Sequence, residues 1–157
     1  MKQISEHVYM ITGAGPTNIY GVVSGNQLAL VDTGVSSNVN NIIAGIEETG
    51  FSAEHMTSVL ITHAHGDHIG GLRGLAEKTE YEVICHEAEA PFLEGEKPLP
   101  ARSAMMRMMR WMEEHFPGEH HPVTVSRTVK HGDLLDIGGG LRVIHTPGHT
   151  PGSMCLY

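Results

Sequence analysis

Positive charge is scarce in this chain. Ten lysines and arginines stand against eighteen aspartates and glutamates, giving a formal net charge of −8. No basic run interrupts that balance, so attraction to nucleic-acid phosphates or to anionic membrane surfaces is not an expected role. Cysteine is scarcer still. Cys85 and Cys155 lie in strand-like surroundings, YEVICHE and GSMCLY, and no CxxC pair occurs. That argues against a disulfide framework and a zinc ribbon, and both thiols read as free and buried. Long apolar runs are missing too: no stretch approaches the roughly eighteen apolar residues of a membrane-spanning helix. MKQISEHVYM also lacks the charged start and apolar run of a secretion signal. The expected location is the cytoplasm, with no membrane among the partners.

Histidine, by contrast, is abundant. There are twelve in 157 residues, a length that suits one compact domain, and 40% hydrophobic content is enough for a buried core. His7, His55, His86, His115, His120, His121 and His131 are scattered or in polar surroundings, which points to surface or structural roles. His63, His65, His68, His145 and His149 instead fall in two short motifs, THAHGDHIGG and HTPGHTPGS.

The intervening sequence alternates between strand and helix patterns. HVYMI, IYGVV and LALV read as strands, the last two joined through Ser24-Gly25-Asn26-Gln27, whose Gly-Asn pair is a hairpin signal. From Ser37 to Thr49, Val39, Ile42, Ile43 and Ile46 recur at helical spacing, with serines available as N-cap and Gly50 as a stop. SVLI then leads into the histidine loop, IGGLRGLAEKT reads as a short helix, and YEVICHE as a strand. VTVSRTV, LLDI, LRVIHT and GSMCLY return to strand composition. Strand pairs with helices between them predict a layered α/β (α+β) domain rather than a bundle. A Met-rich helical insertion is expected at about 95–122, with Met105, Met108, Met109, Met112 and Phe116 on one face. Core packing is its first reading, and an adaptable substrate-facing wall is the alternative.

His63 and His65 are two residues apart. A helix would turn them to nearly opposite sides, whereas an extended loop after SVLI turns both the same way. Imidazoles with a carboxylate suit zinc or iron, and two histidines alone rarely close a site. His149, set between two Pro-Gly turns, can supply the third. Three neutral imidazoles leave one coordination position open, the catalytic rather than the structural pattern. Asp67 and His68 can begin a second site, and two ions about 3.5 to 4 Å apart would act together on a displacement. A lone histidine is more often a hydrogen-bonded core or surface residue. His145, at the end of LRVIHT, is read as part of the strand.

At these residues the chain resembles the metallo-β-lactamase-fold metallohydrolase superfamily. The HxHxDH motif stands as His63-Ala64-His65-Gly66-Asp67-His68, followed by Gly70-Gly71; VDTG spans Val31 to Gly34 and GHTPGS spans Gly148 to Ser153. The resemblance implies an αββα sandwich with metals at one edge of the sheets. It places His63, His65 and His149 on one ion and Asp67 and His68 on a second, with Asp67 also catalytic by orienting the attacking hydroxide. Asp32 resembles the aspartate that supports the metal loop. The implied cofactor is zinc, two ions in the intact enzyme, with iron or manganese as other options.

The implied reaction is hydrolysis of a small-molecule ester, thioester, lactone or phosphodiester. Relatives that use one iron at the three-histidine site make a sulfur dioxygenase the alternative, and a non-catalytic metal-binding module is a third reading. The family pattern continues with a bridging aspartate and a further histidine, whereas this sequence stops at Tyr157. The expectation is therefore a single, incomplete domain over 1–157, a truncated piece of a longer enzyme or one whose open face is covered by a second copy in a homodimer.

Overall fold

The protein is described by a computed structural model covering residues 1–13, 15, 17–100, 107, 108, 111 and 122–157. Seven strands form the larger sheet in chain order: β1 (Lys2–Gln3), β2 (Val8–Ile11), β3 (Ile19–Ser24), β4 (Gln27–Val31), β5 (Met56–Ile61), β6 (Glu82–His86) and β7 (Arg127–Val129). The first four run antiparallel. β3 and β4 close as a hairpin whose last pair is Ser24 with Gln27, and Gly25, at φ +57, opens its two-residue turn. From β4 onward the strands are parallel. Each parallel step needs a crossover, supplied by α1 (Val39–Glu47), then α2 (Gly66–Ile69) with α3 (Leu72–Ala76), then a connection that includes α4 (Ala90–Leu93). A smaller sheet of β8 (Leu134–Leu135), β9 (Leu141–His145) and β10 (Met154–Leu156) is antiparallel, with β9 in the middle.

The alternation of side chains along β4, β5 and β6 builds the layers. Leu28, Leu30, Val59, Ile61, Val83 and Cys85 face one way and pack with the buried residues of α1, α2, α3 and α4. Ala29, Leu60 and Ile84 face the other way and meet Val129, Leu135, Val143 and Met154. The second cluster is the sheet-on-sheet core, so the order is helices, large sheet, small sheet. At roughly 1.5–3 kcal/mol for each large apolar side chain removed from water, these two clusters dominate the favourable side of folding.

α1 buries Val39, Ile42 and Ile46, the residues whose spacing predicts it, and Gly50 at φ +83 follows its end. Its serines do not cap it. Ser36–Asn38 form a 3₁₀ turn that runs straight into the helix, and neither start has a side-chain cap. Cys85 is buried as expected, but Cys155 is exposed: along β10 Met154 points into the core and the next side chain must point out. Most of the Met-rich insertion lies outside the described residues. Within it Arg107, Met108 and Trp111 are helical, and Met108 is exposed rather than packed in a core. Among the described residues no helix is long and apolar enough to cross a membrane.

Candidate metal centre

The carboxyl ends of parallel strands are where an α/β sheet gathers functional loops. Asp32 follows β4, Thr62 and His63 follow β5, and Glu89 follows β6. Asp32 has φ +60, the one described non-glycine residue in the left-handed region, which aspartate tolerates better than most. That conformation accompanies a carboxylate turned across to the β5 loop. Its Oδ1 accepts the Thr62 amide at 2.8 Å, and its Oδ2 accepts the Thr62 hydroxyl and His68 Nδ1, both at 2.7 Å.

These bonds set the imidazole tautomers. The Thr62 hydroxyl has one hydrogen, which goes to Asp32, so the oxygen accepts from His63 Nδ1 at 3.0 Å. The lone pair of His63 is left on Nε2. Likewise His68 donates through Nδ1 to Asp32, leaving Nε2 free 3.7 Å from Asp67 Oδ2. A carboxylate behind an imidazole in this way orients a metal ligand and raises its basicity.

Backbone approach makes the loop possible. A Cβ on Gly70 would stand 2.9 Å from the Ser36 amide nitrogen and 3.0 Å from the Gly34 carbonyl oxygen, and one on Gly71 would stand 2.5 Å from the Thr33 carbonyl oxygen. The paired glycines thus let α2 and α3 press against the turn after β4. Thr33 holds the contact through its amide, which donates to the His68 carbonyl at 2.7 Å, and its hydroxyl, which donates to the same carbonyl at 2.9 Å.

His149 arrives from the turn between β9 and β10. Met154 donates its amide to the Thr62 carbonyl at 3.0 Å, pinning the end of that turn to the end of β5. His145 donates from Nε2 to the Pro151 carbonyl at 2.9 Å and stacks on His86 with ring centroids 3.8 Å apart, a structural role. As a result His149 lies 4.7 Å from the His63 ring and 4.6 Å from the His65 ring. One nitrogen from each of His63, His65 and His149 lies within 4.8 Å of the others. His65 Nδ1 and His149 Nε2 approach to 2.9 Å, close to the roughly 3.3 Å that separates two nitrogens on one tetrahedral zinc. The donor set and its spacing fit one metal ion.

Burial is graded across the triad, from buried His63 through half-buried His65 to exposed His149, so the cluster opens on one side. Burial, with His68, His65 and His149 adding to it, pushes His63 down to about 4; Asp67 pulls weakly the other way. Burial and then His149 lower His65 as well. His68 differs: burial pulls it down, but the hydrogen bond and charge of Asp32, with Asp67, leave it above its ordinary value. Near neutral pH, therefore, His63 and His65 are neutral and ready to ligate.

All five residues of the expected set come together. His68 packs on His63 with centroids 3.9 Å apart, and exposed Asp67 reaches His68 Nε2 and accepts from Thr17 at 3.3 Å. Among the described residues Asp67 and His68 have no further His, Cys, Asp or Glu that would close a second three-ligand group; the triad alone qualifies. Glu89 was not anticipated by motif or spacing. It is fully buried and joins Ala64 to Thr150 and Gly152, and an acid inside EAEA carries no sequence signal for that.

Helices and a large sheet packed on a small sheet, with His63, His65 and His149 gathered where they could hold a metal ion, define a mixed α/β protein with a three-histidine edge. The chain belongs to the metallo-β-lactamase superfamily, whose sequence profile matches residues 12–157. It is 31% identical over 149 residues to YqgX of Bacillus subtilis, described as a probable metallo-hydrolase; the match covers 94% of this chain and 63% of YqgX. With the acyl-coenzyme A thioesterase MBLAC2 of Gallus gallus it shares 34% identity over 110 residues, 61% of this chain and 35% of that protein. The solved structure of BJP-1, a subclass B3 metallo-beta-lactamase of Bradyrhizobium japonicum, superposes with a TM-score of 0.76 at 27% identity. It takes in 98% of this chain and 54% of that one. The chain spans about half to two thirds of the length of the leading curated relatives it matches.

Proposed function

We propose that the protein is a zinc-dependent hydrolase in which His63, His65 and His149 hold the first ion, with Asp67 and His68 contributing to a second. The observation that carries this is the convergence of three imidazole nitrogens within 4.8 Å from loops 84 residues apart, open to solvent on the His149 side. Bound zinc supplies a Lewis acid that lowers the pKa of a water to about 7 and polarises the scissile group.

The chain's own residues do the rest. His63 presents Nε2 because Thr62 engages its Nδ1, and Asp32 holds His68 in the complementary orientation. Asp67, exposed and accepting a hydrogen bond from Thr17, would orient the attacking hydroxide as well as contribute to the second ion. The buried carboxylates of Asp32 and Glu89 offset the positive charge that this cluster would gather.

A thioester is the leading substrate class, supported by the thioesterase among the relatives, with esters, lactones and phosphodiesters behind it. The test is a panel of these four classes with the full natural chain, zinc-loaded and then stripped. Thioester turnover lost to a chelator and restored by zinc is expected. No turnover of any class by fully loaded protein, or stoichiometric iron with oxygen uptake on a thiol substrate, would overturn the reading.

A further inference from the structure

A carboxylate with no solvent exposure, lying between two loops that each carry a metal-ligating histidine, needs an explanation of its own. Glu89 follows β6 and begins the turn of α4. Its Oε1 accepts the amide of Ala64, the residue between His63 and His65, at 2.8 Å. Its Oε2 accepts the Gly152 amide at 2.7 Å and the Thr150 hydroxyl at 2.9 Å, on either side of Pro151 and just beyond His149. All three partners donate, the pattern that a carboxylate accepts and a carboxamide cannot reproduce.

The turn is shaped to meet it. A Cβ on Gly152 would stand 2.4 Å from the Glu89 amide nitrogen, 2.6 Å from its Cβ and 2.7 Å from Oε2, so only glycine brings the backbone this close. Thr150 is held in place by Ser153, whose Oγ accepts the Thr150 amide at 3.0 Å and lies 2.7 Å from its hydroxyl. Met154 pins the far end of the turn to Thr62, and Glu89 ties the stretch just after His149 to the stretch between His63 and His65.

We propose that Glu89 is the positioning residue that fixes His149 relative to His63 and His65, bridging Ala64 on one loop to Thr150 and Gly152 on the other. It touches neither metal nor substrate. The placement of the third imidazole is then built into the fold before any ion arrives, so less ordering remains for the ion to impose. The inference rests on the metal reading above.

The test compares zinc affinity and cobalt absorption spectra of the full natural chain with those of two variants, Glu89→Gln and Gly152→Ala. The glutamine must turn its NH₂ toward one donor side and lose that loop, while the alanine leaves the charge in place and forces the turn away. Both are expected to weaken first-site affinity by about 10- to 100-fold and to change the cobalt spectrum. Thermal melts of the metal-free proteins separate a general loss of stability from a misplaced ligand. If Glu89→Gln fails to fold, Gly152→Ala and the milder Thr150→Val decide, the latter expected to shift affinity in the same direction by less. Unchanged affinity and spectra in folded variants would overturn the role of Glu89. Absence of metal binding by the unsubstituted protein would instead overturn the metal reading itself.

Discussion

His65 Nδ1 and His149 Nε2 stand 2.9 Å apart although 84 residues separate them in the chain. No strand pair brings them there directly. Their meeting is the sum of the β5 loop, the β9–β10 turn and the bonds between these two, and it gives the site an order of dependence: backbone first, imidazoles second, metal third.

That order makes the triad separable from its neighbours. His149→Ala removes the ligand most exposed to solvent and leaves the core untouched. It is expected to lower first-site zinc affinity by at least about 10-fold with little change in the melting temperature of the metal-free protein. Chelator competition and a thermal melt are sufficient; a large melting shift with unaltered affinity would assign His149 to structure.

Asp32 accepts three donors and has a left-handed backbone, so it can be tested by its close isostere. Asparagine tolerates the same φ but must present NH₂ to a donor if its oxygen serves Thr62. Asp32→Asn is expected to remove the acceptor from His68 Nδ1, lower the pKa of His68, and cost about 10- to 100-fold in turnover. NMR titration of His68 reads the shift, and an unmoved titration curve contradicts it.

The histidines that burial holds neutral set the acid response of the metal-free protein. His63 titrates at about 4 in the folded state and near its ordinary value of 6.5 when unfolded, so between those values the unfolded chain binds more protons. Its contribution to stability is present above 6.5 and is lost as pH falls through about 4; His65 acts in the same direction. The raised pKa of His68 has the opposite sign, its contribution being lost as pH rises through its folded value. Replacing His63 with asparagine isolates the first effect. The stability of the unsubstituted protein relative to the variant should decline from pH 7 to pH 4, and a constant difference would contradict the assignment.

Gly71 tests the packing beneath the loop. An alanine there meets the Thr33 carbonyl oxygen, which is backbone and cannot swing away. Gly71→Ala is expected to cost about 1–3 kcal/mol in chemical denaturation. A cost under about 0.5 kcal/mol would show that the two turns are looser than the structure describes.

Much of this was readable from residue order. The continuous apolar runs in LALV, SVLI and EVIC suit strands buried on both sides, and in each of them one face meets the helices and the other the small sheet. The crowded histidines and the GHTPGS turn point to one another because metal chemistry needs more ligands than either motif has. What could not be read depends on spatial neighbours. Glu89 looks like any acid after a strand until Ala64, Thr150 and Gly152 surround it. The exposure of Cys155 depends on which residue of β10 faces the core, and a short run such as SMCLY does not set that phase. The missing serine cap reflects a 3₁₀ turn that feeds α1 without one.

Zinc-edge X-ray absorption on the full natural chain, loaded with one equivalent of zinc, tests the central claim most directly. The account expects three imidazole nitrogens at about 2.0–2.1 Å with one lighter oxygen donor, and a fall to two imidazoles in His149→Ala. Zinc that fails to bind at one equivalent, or an imidazole count unchanged by that substitution, would contradict it.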